Sequence, residues 1–372
     1  MNSRKTRIAA LLLTTGMSFT AQAAYTFTEL GTLGGILSIA KGINNSGQVA
    51  GVSTNLSENE IHAVVWNGTT PTDLGLGQAY AINDHGQVVG TRYTTGTTGV
   101  YAWHATSWNG STVHDLIPLG ERDSYASAIN NSGQVAGWST TSSAYNTHAV
   151  AWNDITTTAT DLAPIPNKHS YANAINESGH IAGYRSSQDG GQQTATVWNG
   201  AVEILLPFLV GGYESLAYAI NDAGQVVGYS TTYSTTGGYE AHATVWENLT
   251  AIDLGTLGGN SGFALAINNS GLIAGWSLTT ANNYDSKHAT LWNGGTATDL
   301  NGFLDAETVS AGWVLTEATG INDNGWIIGN AYNSVTGESH AYLLTPVPEP
   351  ETYAMMLAGL GLVGAAARRR RG

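Results

Sequence analysis

Val, Ile, Tyr and Trp collect in short runs bounded by Asn, Asp, Gly and Ser from about residue 25 to residue 345, the pattern of short strands joined by tight turns. Within that pattern an Ile-Asn pair recurs seven times, with Asn at 44, 83, 130, 176, 221, 268 and 322. In every copy a Gly follows three residues after the Asn and a second Gly four residues later. Successive Asn positions are 39, 47, 46, 45, 47 and 54 residues apart. This period, averaging about 46, is the size of a four-stranded blade in propeller arrays. Four strands can be placed in each unit; in the fifth they are 216–220, 225–230, 242–246 and 251–254. Asn-x-x-Gly joins the first two strands, because Asn caps its own turn and Gly accepts the left-handed position.

Two further motifs mark the outer half of each unit. The third strand carries His-Ala-x-x-Trp, beginning at His62, His104, His148, His242 and His288; the fourth unit has Thr194 with Trp198, and the seventh has His340 with Leu344. An acidic residue and an aliphatic one mark the fourth strand at Asp73, Asp115, Asp161, Asp253 and Asp299, with Glu203 as the deviant. The seventh unit stops after its third strand, while the chain opens with an orphan Glu29-Leu30. These features predict an all-β, seven-bladed β-propeller over 24–345, its ring closed by the N-terminal strand (25–30) completing the last blade. Such closure removes exposed strand edges.

Composition agrees with short strands: 47 glycines, 42% hydrophobic and 11% charged residues in 372. Residues 1–23 read as a signal peptide for the Sec machinery, with Arg4, Lys5 and Arg7 before an apolar run and Ala21-Gln22-Ala23 at its end. The absence of cysteine leaves stability to the core and removes thiol chemistry. Of 13 basic residues three lie in the leader and four in the tail, and of 27 acidic residues two lie in the tail. Residues 24–347 therefore carry 6 basic and 25 acidic residues, a net of −19. A body of that charge excludes nucleic acid and anionic lipid surfaces as partners.

His, Asp and Asn recur at equivalent positions in nearly every unit, so they read as structural, pairing with one another or with backbone at the blade seams. No metal site or cofactor is expected, since each unit offers one His without a partner at ligand spacing. Function belongs where the units differ, in the loops on the face opposite the Asn-x-x-Gly hairpins. Tyr93, Tyr101, Trp103, Tyr145, Tyr233, Tyr239 and Tyr284 lie there among Thr, Ser and Gly and are candidates for stacking on sugar rings. Charged residues at unrepeated positions are Glu121, Arg122, Asp123, Lys168, His169, Asp189, Glu214, Asp305 and Glu307, and no spacing ties them into a catalytic set.

After the last strand come Val347, Pro348, Glu349 and Pro350, then a 15-residue apolar run (353–367) and Arg368, Arg369, Arg370 and Arg371. This order resembles the PEP-CTERM sorting signal (346–372), which implies a short transmembrane helix, transient inner-membrane anchoring and recognition by exosortase in Gram-negative bacteria that make exopolysaccharide. The body resembles the HAF-repeat family of extracellular proteins. Residues 30–35 and 254–259 follow its Leu-Gly-Thr-Leu-Gly-Gly segment and the Ile-Asn units its second, while Phe of His-Ala-Phe is replaced by Val, Thr or Tyr. The resemblance implies location and architecture and carries no activity. The expectation is a non-enzymatic protein of the cell envelope, cell surface or extracellular matrix, associated with exopolysaccharide or biofilm. The alternatives are a carbohydrate-active enzyme on the same scaffold and a purely structural matrix protein.

Overall fold

In the third unit Asn130 builds the turn its sequence predicts. Its Oδ1 accepts from the Gln134 amide at 2.9 Å, its carbonyl accepts from Gly133, and Gly133 turns at a φ of 85°. The second glycine has a different reason. The inner strand bulges between Ala126 and Ala128, which drives the Tyr125 carbonyl toward the second strand; a Cβ on Gly137 would lie 1.9 Å from that oxygen. The same register shift, four to two residues before the Asn, occurs in all seven units.

A computed structural model describes residues 25–347 except 57–59, 96–98, 100, 121, 142–145, 155, 166–167, 187–190, 234–237 and 281–285. Among the described residues there are 28 strands, one five-residue helix (Ala306–Ser310) and a 3-10 turn (Leu300–Phe303) in the longest unit. Five units are separate four-stranded antiparallel meanders, over 78–115, 124–161, 169–205, 215–253 and 258–299. The first unit (34–76) and the last three strands (313–346) meet through a parallel bridge between Leu37 and Ser339. Strand Tyr25–Glu29 lies antiparallel along Ser339–Pro346, Tyr25 opposite Pro346 and Glu29 opposite Tyr342. The chain is thus an all-β molecule of β-propeller architecture.

Tryptophan carries the packing. Trp66, Trp108, Trp152, Trp198, Trp246 and Trp292 are buried, and each apolar cluster spans two neighbouring sheets. One cluster packs Val89, Ala105 and Leu116 of the second unit against Ala126, Val135, Val150 and Trp152 of the third. Another joins the last unit to the first through Ile328, Ala341 and Leu343 against Ala40, Val49 and Trp66, with Leu30 of the first strand. Four indoles also donate across the seam: Trp66, Trp152, Trp246 and Trp292 reach the carbonyls of Gly31, Ile117, Pro207 and Gly255 at 2.7–3.1 Å.

The expectation that the repeated His and Asp meet at blade seams is corrected by the geometry. They clip the third strand to the outer strand of the same sheet: His62–Asp73, His148–Asp161, His242–Asp253 and His288–Asp299, at 2.7–2.9 Å. His340 pairs with Glu29 of the N-terminal strand. In the second and fourth sheets an arginine from the second strand takes the carboxylate instead, Arg92 on Asp115 and Arg185 on Glu203, both at 2.8 Å. The longer side chain reaches across the intervening strand, so Thr194 can stand where a histidine stands elsewhere.

Candidate ligand-binding site

The two ends of the inner strands differ in chemistry. At the hairpin end the motif asparagines form a head-to-tail series. Each Nδ2 donates to the next Asn carbonyl at 3.0–3.2 Å, from Asn44 through Asn83, Asn130, Asn176, Asn221 and Asn268 to Asn322, and Asn322 donates back to Asn44. The following residues, Asn45, Asp84, Asn131, Glu177, Asp222, Asn269 and Asp323, make a second series above it. There each backbone amide donates to the next side chain. Together they rim a polar cavity of about 260 Å³ floored by the motif isoleucines. Its four carboxylates are engaged by neighbouring amides; Asp323, for instance, accepts from the amide and side chain of Asn269 at 2.9 and 3.1 Å. Among the described residues no group of three or more His, Asp or Glu is arranged to hold a metal ion.

At the other end the units diverge. Five residues before each Asn, the inner-strand residue and its ladder partner read Ile39–Val52, Gln78–Thr91, Tyr125–Trp138, Tyr171–Tyr184, Leu216–Tyr229, Phe263–Trp276 and Glu317–Asn330. Three of the seven pairs are wholly aromatic. Tyr125 and Trp138 stack at 4.1 Å with 17° between planes, Tyr171 and Tyr184 at 4.9 Å, and Phe263 and Trp276 at 4.5 Å.

Three of the aromatics singled out in the sequence join this array. Tyr101 and Tyr93 stack at 6.0 Å, Tyr93 meets Trp103 at 5.6 Å, and Trp103 meets Tyr125 at 6.3 Å. Trp138 then meets Tyr171 edge-on at 5.7 Å. A continuous track of seven rings, Tyr101–Tyr93–Trp103–Tyr125–Trp138–Tyr171–Tyr184, therefore runs across three units. It is open at its outer end, where Tyr101 and Tyr93 are 70% and 59% exposed, and half-buried inward. Tyr80 approaches Tyr125 at 6.4 Å as a branch. Tyr233 and Tyr239 form a separate exposed cluster with Tyr213, at 5.4 and 4.3 Å. Tyr145 and Tyr284 lie outside the described residues, as do Glu121 and Asp189.

The unrepeated charges serve the scaffold. Asp123 accepts from the Trp103 amide at 2.9 Å, His169 Nδ1 from the Thr147 amide at 3.1 Å, and Asp305 caps the short helix through the Thr308 amide at 2.7 Å. Glu214 accepts from the Tyr229 hydroxyl at 2.8 Å. Burial raises the phenols of the array: Tyr80 and Tyr184 lie well above the usual value, and Tyr125 is raised by burial and then by Asp123; outside the array Tyr218, 6.2 Å from Tyr229, is pushed up to about 12 by burial and Glu214. They stay protonated donors. The last unit supplies the only carboxylate of the seven inner-strand positions. Burial alone would raise Glu317, but Lys287 at 2.5 Å, Asn330 at 2.8 Å and the charge of Lys41 hold it below the carboxylate value. Lys287 also lies 4.8 Å over the Trp276 ring.

Tyr125, Trp138, Tyr171 and Tyr184 were not among the residues singled out in the sequence. They sit inside the repeated strands, and the signal that finds them is variation at one fixed offset from the Asn.

Residues 346–371 match the model of the PEP-CTERM protein-sorting motif, which implies export and processing by exosortase. Among the described residues no helix is long and apolar enough to cross a membrane; the apolar run 353–367 and Arg368–371 lie outside them. No curated protein matches the chain. Among solved structures the chain is similar to the β-propeller domain of the Trilobed protease from Pyrococcus furiosus, described as having an open velcro topology. The match has a TM-score of 0.50 and 9% identity over 82% of this chain and 93% of that one. It is also matched, at a TM-score of 0.30 and 12% identity over 87% of this chain and 98% of the other, to the α-L-arabinofuranosidase PaAbf62A from Podospora anserina in complex with cellotriose.

Proposed function

We propose that this chain is a seven-bladed propeller, closed as a ring by its N-terminal strand, that exosortase delivers to the cell envelope or extracellular matrix. There it acts without catalysis as a protein associated with exopolysaccharide. The observation that carries the reading is the sorting motif over 346–371. Ring closure is supported by the Asn322-to-Asn44 bond and by the pairing of Tyr25–Glu29 with Ser339–Pro346. The HAF-like repeats support an extracellular setting.

The non-enzymatic reading draws on the carboxylates that rim the polar cavity. Asp84, Glu177, Asp222 and Asp323 are spent as acceptors for neighbouring amides, whereas a hydrolase needs a convergent acid and base. The test compares the exported protein from wild-type and exosortase-deleted cells by mass, and its co-sedimentation with the host's own exopolysaccharide. Loss of the four terminal arginines only where exosortase is present, together with co-sedimentation, is expected. Identical masses that retain Arg368–371 overturn the sorting step, and a chain free of polysaccharide in both strains overturns the association.

A further inference from the structure

We propose that the seven-ring track is a binding site for a glycan chain without acidic groups, laid from Tyr101 inward toward Tyr184. This rests on the polysaccharide reading above and assigns it a place and a ligand class. The first ground is symmetry breaking. In a chain of seven near-copies the asparagines, the Trp of the third strand and the bulge glycine recur in all or nearly all units. The pair five residues before the Asn does not recur, although nothing in the strand geometry forbids one solution throughout, since Ile39–Val52 makes the same ladder as Tyr125–Trp138. Aromatic pairs at only some copies are therefore not demanded by the fold.

The second ground is the form of the array. Consecutive rings lie 4.1–6.3 Å apart in one unbroken run, and five of the seven are tyrosines whose hydroxyls supply donors and acceptors beside an apolar ring. A pyranose presents matching surfaces: a C–H face that packs on a ring and a rim of hydroxyls. Tyr93 and Tyr101 stack on each other while more than half exposed, so two large rings are held in order at the surface, where singly scattered aromatics would need no explanation.

Charge selects among glycans. The body's net of −19 repels a uronate or sulfated chain. Asp123, held by the Trp103 amide in the middle of the track, adds a local negative charge that disfavours anions. An extended proline-rich peptide also packs on aromatic grooves, and the titration below separates the two.

The experiment is calorimetric titration of the purified full chain with hexaoses of glucose, mannose and N-acetylglucosamine, an oligogalacturonate and a proline-rich peptide. At least one uncharged hexaose is expected to bind. Tyr93→Ala and Tyr101→Ala, exposed and safe for folding, should each weaken it about tenfold, the size of one aromatic contact. Trp103→Ala should weaken it further, whereas Tyr233→Ala in the separate cluster should leave it within about twofold. The proposal is overturned if no uncharged hexaose binds, if the uronate or the peptide binds more tightly, or if Tyr93 and Tyr101 can be removed without loss. Co-sedimentation with host exopolysaccharide that survives both tyrosine variants would remove the track and leave the broader reading standing; its absence from the unaltered chain would remove both.

Discussion

At His242 the hydrogen bond to Asp253 raises the imidazole above its ordinary 6.5, against the lowering effect of burial, and Glu240 adds to the rise. For Asp253, burial pulls upward, but the bonds from His242 and the Gly255 amide hold it below 3.8. The signs fix a window. A raised histidine contributes stability that is fully present below 6.5 and is lost as pH rises through its folded value. A lowered aspartate contributes above 3.8 and is lost as pH falls through its folded value. Both contributions are in force together between those limits, so urea unfolding should show the pair helping at pH 5 and helping less at pH 8. His242→Gln should remove that pH 5 increment; an unchanged difference between pH 5 and pH 8 in the variant would show that the pair does not set it. The existence of such pairs was legible from the recurring His and Asp. Their placement within one sheet was not, because strand register decides whether the third strand's histidine faces its own outer strand or the next blade. Nor did spacing show that Arg92 and Arg185 would take over the carboxylates in two sheets.

The four-stranded unit is the scale at which the sequence pattern speaks most directly. Turn chemistry, strand alternation and the Trp of the third strand all specify the same meander, and such agreement between levels is what makes a unit repeat faithfully. The second glycine of the motif falls inside the second strand in the sequence reading as well, Gly228 within 225–230, but its reason does not show there: Gly137 is required by the bulge opposite. A β-bulge has no side-chain signature of its own, which is why its cause is visible only once the strands are paired. Gly137→Ala places a methyl group 1.9 Å from the Tyr125 carbonyl, so the bulge must shift. The expected cost is about 1–3 kcal/mol, read as a lowered urea midpoint, with the stacked Tyr125–Trp138 pair displaced and its near-ultraviolet circular dichroism reduced. Gly68, where a Cβ would meet nothing within 4 Å but φ is +75°, provides the contrast. Gly68→Ala should destabilise through backbone strain alone and leave the aromatic signal intact. Equal loss of that signal in both variants would mean that the bulge does not hold the ring pair.

For the whole molecule the question is what keeps the first and last units together, since every other seam is bridged by a short covalent connection. Here the connection is Tyr25–Glu29 on Ser339–Pro346, the Leu30 amide on the Ala341 carbonyl at 2.9 Å, the His340–Glu29 pair, and Leu30 buried among residues of both ends. Hydrogen-bonded positions alternate along an antiparallel ladder, so from Leu30 the next amide facing Ser339–Pro346 is that of Thr28, opposite Leu343. Thr28→Pro removes that donor and puts a ring into the ladder, at a cost of about 3 kcal/mol by analogy with proline inside a hydrogen-bonded helix. If the strand is the clasp of a closed ring, more than local stability is lost: strand Ser339–Pro346 becomes an open edge, a template for pairing with another chain. Size-exclusion chromatography at rising concentration should then show association in the variant that is absent without the substitution. A proline at a symmetry-related outer strand, Thr298→Pro, should lower stability without producing it, because Thr296–Asp299 is tethered by a short turn to Lys287–Asn293, the strand it covers, whereas Tyr25–Glu29 is far in sequence from Ser339–Pro346 and is held there by pairing. Association of both variants alike would make edge exposure general to outer strands, and association of neither would remove the clasp from Tyr25–Glu29.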